Sequence, residues 1–558
     1  MFKKFKNLIE FKPYFNRYKT LVFSLVGIVF LTSYVGMLLA YLLCEQLIGI
    51  TSEAVDVTVK FTILILTFIV IRQLILFVWD KFQLKLAQNV ALDIRRDIIN
   101  HLLNTKYTTI QKNGTNFYIE RLNDDASVVS SFLGTLGKSA VDLITSFSFL
   151  LIVYFLSWQC GIFFTFGIAE LCFIEYVKIN NDLKNLKEEK EYKIKANDEL
   201  SKIIENVRDI KHFGLKDQMK DRLDIVGQDL LNTTYKKNLK YESFNRLATV
   251  LQWIIDSFMV IVAILWLVPT NQIAVVALLL ILNYKSLMYD AVKVFTKAKN
   301  YLIQADGCAK NILSILNDTE IDHYGKESLK LKQGIITVKN LDYEVNGKKL
   351  IKDASFELKQ NSLNLFIGPS IKGRNALYMI LAKLWDVPRS RVYFDYTDIN
   401  DLEEDSYNQS VSVVNEDVFI FNDTILNNIK IVKPESDYAK IKNACVQVGL
   451  DEEIQKLNLG YHTIIEEKDS ILTPYFKLKI ELARAILKES KVIILNDPNK
   501  GIKDEEQENL IETLSKLKQS KTIVVIAQKM NHYEKFTTVY EIKANRISSY
   551  INFDEYAL

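Results

Sequence analysis

Six long apolar runs in the first half of the sequence restrict its fold more than any other feature. They cover residues 20–44, 61–79, 140–158, 161–177, 247–268 and 273–288. An α-helix rises about 1.5 Å per residue, so about 20 apolar residues cross the roughly 30 Å hydrocarbon core of a bilayer. The runs therefore predict a multi-pass membrane protein whose residues 20–307 form a transmembrane domain with six helical spans.

The charges between the runs predict how the spans are oriented. The short connections 45–56, 157–161 and 268–272 contain no lysine or arginine, whereas the N-terminus and the long connections after the second and fourth runs contain many. Basic residues collect on the cytoplasmic side of membrane proteins. We therefore expect both termini in the cytoplasm. Few glycines and prolines beside many lysines, isoleucines, asparagines and tyrosines indicate an AT-rich bacterial gene, so we expect the membrane to be a bacterial inner or plasma membrane.

Residues 1–19 combine basic and apolar side chains. Leu8, Phe11 and Phe15 recur at helical spacing among lysines and arginines. This arrangement is typical of an amphipathic helix that lies along a membrane surface. A disordered basic tail is the alternative, and the spacing of the aromatic residues favours the helix.

Polar residues also occur inside the apolar runs. The charged ones away from the span ends are Arg72, Asp142, Glu170 and Asp256, and Glu175 and Lys285 lie near span ends. A charge at the centre of a transmembrane helix costs roughly 2.5–3.5 kcal/mol on insertion scales, so such groups usually face the bundle interior or a wet cavity. They either line a substrate pathway or pair with one another. Our hypothesis is that Arg72 pairs with one of the two aspartates inside the bundle.

A different pattern, beyond the apolar runs, predicts a nucleotide-binding fold. A strand-like run at residues 363–367 leads into a turn and then into a helix-forming segment. The turn consists of Gly368, Pro369, Ser370, Ile371, Lys372, Gly373, Arg374 and Asn375. In a phosphate-binding loop, backbone amides surround phosphate, a lysine reaches the β- and γ-phosphates, and a serine or threonine binds Mg²⁺. Arg374 and Asn375 occupy these last two positions, so the scaffold is present but its chemistry is altered.

The polar stretches beside the membrane resemble those of a known family. Residues 86–96 and 101–104, followed by Gly114 and the run 121–125, resemble the first cytoplasmic loop of ATP-binding-cassette (ABC) exporters, and residues 200–214 resemble the second. The resemblance covers nearly the whole chain. It implies a six-helix transmembrane bundle of ABC exporter type, a linker at 308–334, and an α/β P-loop NTPase-like cassette domain with a helical subdomain at 335–558. In that family the loops carry short coupling helices that press on the cassettes.

Compared with the family motifs, the cassette keeps its framework while residues that touch nucleotide are replaced. Glu416 stands at the glutamine-loop position, Asn496 and Asp497 stand at the Walker B positions, and Gln528 stands at the switch-histidine position. Asn496 lacks the negative charge that Mg²⁺ requires, and Asp497 is one methylene shorter than the family's glutamate. The resemblance therefore implies no competent catalytic residue, no metal site and hydrolysis close to background.

The family's LSGGQ signature is replaced as well. Its positions hold Leu472, Thr473, Pro474, Tyr475 and Phe476. In the family, the glycines of this motif let backbone amides approach the γ-phosphate that the opposite subunit holds. Pro474 has no amide hydrogen to donate, and Tyr475 adds bulk. We therefore expect this chain to have lost both of its contributions to a composite ATP site.

The sequence thus predicts an ABC-exporter-like membrane protein with a degenerate cassette. Our first interpretation is one half of a dimeric exporter of peptides or other amphiphiles, as a homodimer or as a heterodimer with another ABC half-transporter. The alternative is a membrane scaffold or binding protein that keeps the transporter fold without using ATP, and a slow homodimeric ATPase ranks last. We expect ATP binding to be weak at most, without a firm Mg²⁺ site. The net charge of +3 does not suggest a nucleic-acid partner.

Overall fold

The computed structural model describes residues 6–51, 55–270, 275–328, 331–345, 347–415, 418–466 and 468–550. The chain divides into two compact units. The membrane unit comprises Met1–Leu103 and Thr115–Asp318, and the cassette unit comprises Asn104–Gly114 and Thr319–Leu558.

Helices account for nearly all of the described chain before the first strand. They are α1 (Lys6–Glu10), α2 (Lys12–Arg17), α3 (Lys19–Thr51), α4 (Val55–Leu103), α5 (Tyr107–Asn113), α6 (Thr115–Glu120), α7 (Ala126–Leu156), α8 (Trp158–Glu205), α9 (Val207–His212), α10 (Lys216–Val262) and α11 (Val275–Leu316), with π-helical turns at Arg121–Asp125 and Ala263–Leu267. Helices α3, α4, α7, α8, α10 and α11 contain most of each apolar run. Helices α4, α8 and α10 also extend well beyond their apolar runs.

Five of the six predicted spans are present as helices long and apolar enough to cross a membrane. These stretches are Lys19–Gly36, Thr62–Leu103, Thr115–Phe155, Trp158–Val177 and Lys216–Leu267. The sixth run falls at the start of α11, where most side chains lie outside the described set. The sixth span therefore stays a prediction, although its backbone is helical from Val275.

The N-terminal helices α1 and α2 turn their apolar side chains into the membrane unit. Leu8, Phe11 and Phe15 are all buried there. Tyr14 Oη donates to Asp97 at 2.7 Å, and the Arg17 guanidinium donates to Asp93 at 3.3 Å. The apolar face of this segment is thus covered by protein, because the bundle offers these rings the same removal from water that a membrane surface would.

Two main sheets form the cassette unit. An antiparallel sheet contains β1 (Ile336–Val345), β2 (Lys348–Leu358), β4 (Val392–Phe394) and β5 (Thr397–Asp398). The other sheet has the order β12-β11-β3-β10-β9-β6 and contains β3 (Leu363–Ile367), β6 (Val411–Val414), β9 (Val492–Asn496), β10 (Thr522–Ala527), β11 (Thr538–Lys543) and β12 (Arg546–Tyr550). Its strands are parallel except β12. A small ladder pairs β7 (Asp423–Thr424) with β8 (Ile464–Ile465).

Helices pack on the parallel sheet and create two apolar cores. They are α12 (Ile371–Leu381), α13 (Glu404–Ser410), α14 (Ile425–Lys430), α15 (Tyr438–Gln447), α16 (Asp451–Gln455), α17 (Pro474–Leu487) and α18 (Asp504–Leu517). Alternating residues of β10 enter different cores: Ile523 and Val525 join that of α17 and α18, and Val524 and Ile526 join that of α12. A parallel sheet covered on both faces explains why these strands are continuous apolar runs.

The register of the parallel strands brings their carboxyl ends level with one another. Ala527 of β10 pairs with Ile367 of β3, and Ile526 pairs with Asn496 of β9. The residues that follow these strands therefore share one edge of the sheet. Ligand sites in open α/β sheets form at this edge.

A short segment from the first polar connection belongs to the cassette unit. Its helix, α5, is preceded by Lys106, whose amide donates to the carbonyl oxygen of Glu320 at 2.9 Å. The Lys106 ammonium lies 2.9 Å from a carboxylate oxygen of Asp386, and Thr105 forms a β-bridge with Ile321. Residues Asn104–Gly114 thus pack where the resemblance to ABC exporters implies a coupling helix.

Candidate nucleotide site

The turn after β3 leads directly into α12, as a phosphate-binding loop does. A side chain at Gly368 would collide with the carbonyl oxygen of Ile542, so the loop requires glycine at this position. Ser370 is the N-cap residue of α12, and its Oγ accepts a hydrogen bond from the Gly373 amide at 3.2 Å. This cap already satisfies one of the amides that a helix N-terminus otherwise leaves open.

Arg374 points back into the loop and is almost fully buried, with 2% of its surface exposed. Its Nη1 donates to the carbonyl oxygen of Gly368. Its Nη2 lies 3.6 Å from Oδ2 of Asp497, at the end of β9. The guanidinium therefore joins the loop to the neighbouring strand end. Its charge is balanced inside the protein instead of being directed at a ligand.

Asp497 is held from three directions. Its amide donates to the carbonyl oxygen of Ile526 at 2.7 Å, and its Oδ1 accepts from the amide of Gln528 at 3.1 Å. Its other oxygen faces Arg374. The residue has a φ of +45°, in the left-handed region that is uncommon for residues other than glycine. The contacts hold Asp497 in this conformation and commit its carboxylate to internal partners.

The positions that would bind a metal in the family hold amides here. Oδ1 of Asn496 is buried and has no hydrogen-bond partner within the described part of the chain. Asn375 is exposed on the first turn of α12. An amide oxygen can ligate Mg²⁺ but brings no negative charge. Among the described residues, no group of three or more His, Cys, Asp or Glu side chains is placed to hold a metal ion.

These residues line a cleft of 670 Å³ at the carboxyl ends of the strands. Lys500, Lys529 and Asn499 complete its wall, and Asp497 is the only acid among its lining residues. With three basic groups and one acid among its lining residues, the cleft favours anions over divalent cations. The sequence analysis did not select these three additional residues, although each of them follows closely on a predicted position, Asp497 or Gln528.

A second cleft, of 600 Å³, lies on the other side of Ile371. It is lined by Lys348, Lys349, Lys352 and Lys372, and Lys349 lies 3.8 Å from Asp342. Ile371 contributes to both clefts and is 61% exposed. A bulky apolar side chain therefore stands between the two basic surfaces that flank the loop.

The signature region begins α17 and satisfies its own backbone. Pro474 is the first helical residue, and Thr473 is the N-cap residue whose Oγ1 accepts from the Phe476 amide at 3.1 Å. Leu472, Tyr475 and Phe476 are buried in the apolar core. Burial also raises the pKa of Tyr475 to about 12. Tyr475 therefore adds its bulk to the core, and the amide of Phe476 is already bonded within the helix end.

The structure brings together only part of the predicted site. Gly368 to Asn375, Asn496, Asp497 and Gln528 surround the same strand ends. Glu416 lies outside the described residues, although its neighbour Asn415 accepts a hydrogen bond from the Tyr378 hydroxyl. Burial raises the pKa of Tyr378 to about 12, so it stays protonated as the donor.

The predicted intramembrane residues lie in the membrane unit. Asp256 accepts a hydrogen bond from Tyr289 Oη at 2.9 Å, a partner that the sequence did not indicate. Arg72 and Lys138 are both close enough to Asp142 to interact electrostatically with its carboxylate. The hypothesis that Arg72 pairs with an aspartate inside the bundle stays a prediction.

Comparison with known proteins covers both units. Residues 21–292 match the family described as ABC transporter transmembrane region, and residues 351–500 match the family described as ABC transporter. The ATP-dependent lipid A-core flippase of Haemophilus ducreyi (strain 35000HP / ATCC 700724) is 23% identical over 568 residues, covering 98% of this chain and 94% of the relative. The multidrug resistance-like ATP-binding protein MdlA of Buchnera aphidicola subsp. Baizongia pistaciae (strain Bp) is 23% identical over 522 residues, covering 92% and 89%.

One solved structure shares the fold over almost the whole length. It is a bacterial Atm1-family ABC exporter with ATP bound, with a TM-score of 0.76 at 14% identity, covering 97% of this chain and 96% of that chain. This likeness confirms the predicted fold class of a helical transmembrane bundle followed by a P-loop cassette.

Proposed function

This chain belongs to the ABC transporter family, as a half-transporter that joins one transmembrane region to one cassette, and we propose that it is the non-hydrolysing half of a dimeric exporter. The observation that supports this proposal is the position of the Arg374 side chain. Its guanidinium is bonded to Gly368 and faces Asp497, so the loop that would hold phosphate already holds a charge of the protein itself. A nucleotide would have to displace this pair before the loop could surround its phosphates.

The cleft has a single acid among its lining residues, Asp497, and this supports a loss of hydrolysis. Phosphoryl transfer depends on metal ions and on electrostatic stabilisation of the developing charge. Asn496 and Asn375 bring no charge for Mg²⁺, and Asp497 is engaged by Arg374 and Gln528. Lys500 and Lys529 line the same cleft. Any ATP bound here is therefore bound weakly, through basic side chains, without a requirement for Mg²⁺.

The proposed substrate class is an amphiphile, including peptides with apolar segments. One relative is named a lipid A-core flippase and another a multidrug resistance-like protein. This chain covers 94% and 89% of their lengths, which supports a similar class of substrate. The termini are proposed to lie in the cytoplasm, on the basis of the lysines and arginines in the long connections.

A membrane scaffold that does not use ATP is the second candidate, and the start of α17 favours it. In the family, each composite site combines the Walker face of one chain with the signature of the other. Here Thr473 caps the helix and Pro474 has no amide hydrogen. A competent partner would therefore find no open amide at Pro474 or at Phe476, and neither site of a mixed dimer would be complete.

ATP turnover and binding in the full-length protein test the proposal. The protein would be purified in lipid nanodiscs and titrated with a fluorescent ATP analogue, with Mg²⁺ or with EDTA. We expect no turnover above protein-free nanodiscs and the same weak binding in both conditions. Turnover that needs Mg²⁺ and is lost in Asp497→Asn would overturn the proposal.

Copurification separates the two candidates. A second cassette protein that copurifies in equal amounts, and whose presence brings ATP turnover, supports the exporter half. A homodimer that binds no nucleotide at millimolar concentration supports the scaffold.

A further inference from the structure

A polar cavity of 290 Å³ lies between helices α8, α10 and α11 of the membrane unit. We call it the three-helix cavity. Its lining includes Glu175 of α8, Gln252 of α10 and Lys293 of α11. Glu175 lies close to the end of the fourth apolar run, Gln252 close to the start of the fifth, and Lys293 just beyond the sixth. All three helices therefore reach the cavity where they leave the apolar layer, on the side of the long basic connection between the fourth and fifth runs.

Gln252 contributes an unused hydrogen-bond donor to this lining. Its Nε2 is buried and has no partner among the described residues. The threonine hydroxyls of the lining donate within their own helices. Thr249 donates to the carbonyl oxygen of Asn245 at 2.9 Å, and Thr296 donates to that of Val292 at 3.0 Å. A buried donor without an acceptor is unfavourable and rare in native proteins. An oxygen atom of a ligand in the cavity would supply the missing acceptor.

Two lysines of α11, Lys293 and Lys297, lie one turn apart in the same lining. The Lys293 ammonium is 3.1 Å from a carboxylate oxygen of Asp290, outside the cavity. Lys297 is exposed and has no ion-pair partner in the described part of the membrane unit. Glu175 is the single acid of the described lining. The cavity thus offers an ammonium group that no described carboxylate already holds.

This combination of donors suits a phosphate group, because phosphate oxygens accept hydrogen bonds from ammonium and amide groups. Basic pockets between transmembrane helices on the cytoplasmic side bind phospholipid headgroups. The volume is close to the lower limit of the roughly 300–1,000 Å³ that ligand pockets have, so it suits a headgroup and not a whole lipid. Exposed apolar side chains on the adjacent stretches of α8 and α10, among them Phe173 and Trp253, suit acyl chains.

We propose that the three-helix cavity binds the phosphate group of a membrane phospholipid, with the Lys297 ammonium and the Gln252 amide as the contacts that the ligand completes. Glu175 limits the headgroup to a single phosphate, because a second anionic group would meet this carboxylate. The exposed apolar side chains beside the cavity favour a lipid over a free phosphate ester. Binding of the lipid does not depend on the proposed export function.

The test separates the phosphate from the acyl chains. Native mass spectrometry of the full-length protein in detergent would measure binding of dioleoyl-phosphatidylglycerol, of dioleoylglycerol, which has the same chains without phosphate, and of glycerol 3-phosphate, which has no chains. We expect saturable binding of the phospholipid. The other two compounds should bind about tenfold more weakly or less, because each lacks one part of the ligand.

Four variants identify the contacts. Lys297→Gln should weaken binding of the phospholipid about tenfold, because a charge-assisted hydrogen bond is lost. Lys297→Arg keeps the charge and should retain binding, which separates a lost contact from misfolding. Gln252→Leu removes a neutral donor and should weaken binding by a smaller factor. Lys310→Gln is the matched control, since it removes the same charge from an exposed position on α11 outside the lining, and it should have no effect.

Equal binding of the phospholipid and dioleoylglycerol would refute the site. The same holds for equal affinity of the phospholipid for the wild type and for Lys297→Gln. Glycerol 3-phosphate that binds as tightly as the phospholipid would overturn the lipid as the ligand. All of these measurements are made without nucleotide. Their failure would therefore leave the proposal about Arg374 standing, and ATP turnover would leave the lipid site standing.

Discussion

The two units of this protein differ in whether a buried charged group has an internal partner. In the cassette unit, Arg374 is buried, bonded to a backbone carbonyl and placed 3.6 Å from Asp497. In the membrane unit, both carboxylate oxygens of Glu170 are buried without a partner among the described residues. The first arrangement balances the charge within the protein. The second leaves a carboxylate without an internal hydrogen-bond partner among the described residues.

This difference follows from what a buried charge costs. Removing one partner of a buried pair leaves an uncompensated charge, which is strongly destabilising. A charge that lacks a partner from the start already carries that cost in the folded state. Removing the charge of Arg374 should therefore lower the free energy of unfolding of the cassette unit. Removing the charge of Glu170 should raise that of the membrane unit or leave it unchanged.

The largest expected effect is that of Arg374→Ala. It removes the cation that faces the partly buried Asp497 and the hydrogen bond to Gly368, and the free energy of unfolding of the cassette should fall by about 1.5–3 kcal/mol. Proteolysis of the full-length protein in detergent, over a range of urea concentrations, measures this change. The double variant Arg374→Ala/Asp497→Ala should recover much of the loss. A single variant as stable as the wild type would show that the pair does not hold the loop closed.

A smaller loss is expected for Thr473→Ala at the start of α17. The substitution removes the cap of the Phe476 amide, which typically costs about 1 kcal/mol. The same proteolysis assay measures it, and ATP turnover should stay at background. Thr473→Ser keeps the hydroxyl and serves as the matched control. If turnover appeared on removal of the cap, the cap would be a restraint on activity and not simply part of the framework.

Glu170→Gln should change stability in the other direction. Replacing an unsatisfied carboxyl group by a neutral amide should raise the free energy of unfolding by up to about 1 kcal/mol. Thermal unfolding of the membrane unit, followed in nanodiscs of fixed composition, provides the measurement. A marked loss of stability would mean that Glu170 has an internal partner, and the contrast between the two units would disappear.

The smallest expected effect on stability is that of Lys521. Its buried charge is bonded to a backbone carbonyl oxygen. Its ammonium donates to the carbonyl oxygen of Ser490, and burial lowers its pKa to about 8. An unfolded lysine has a pKa of about 10.4, so the unfolded state binds more protons than the folded state between these values. The contribution of Lys521 to the free energy of unfolding should therefore rise as the pH increases from about 8 to about 10. Lys521→Met should reduce this slope, whereas Lys516→Met, at an exposed position, should not.

Local patterns in the sequence were sufficient to predict both units. The lengths of the apolar runs predicted the spans, and the order of glycine-rich turn, signature position and strand ends predicted the cassette. These features depend on residues close together in the chain. The altered site could also be recognised position by position, since each replaced residue stands at a fixed distance from framework residues that are kept.

The sequence by itself determined the division into a membrane unit and a cassette unit, and it predicts the loss of the metal-binding and catalytic side chains. Only the tertiary structure decided which buried charges meet. Arg374 and Asp497 come together because β3, β10 and β9 end level with one another. Asp256 meets Tyr289 because three long helices converge where Gly167 leaves space. The free energy of a buried charge depends on atoms within a few ångströms, and those neighbours come from distant parts of the chain.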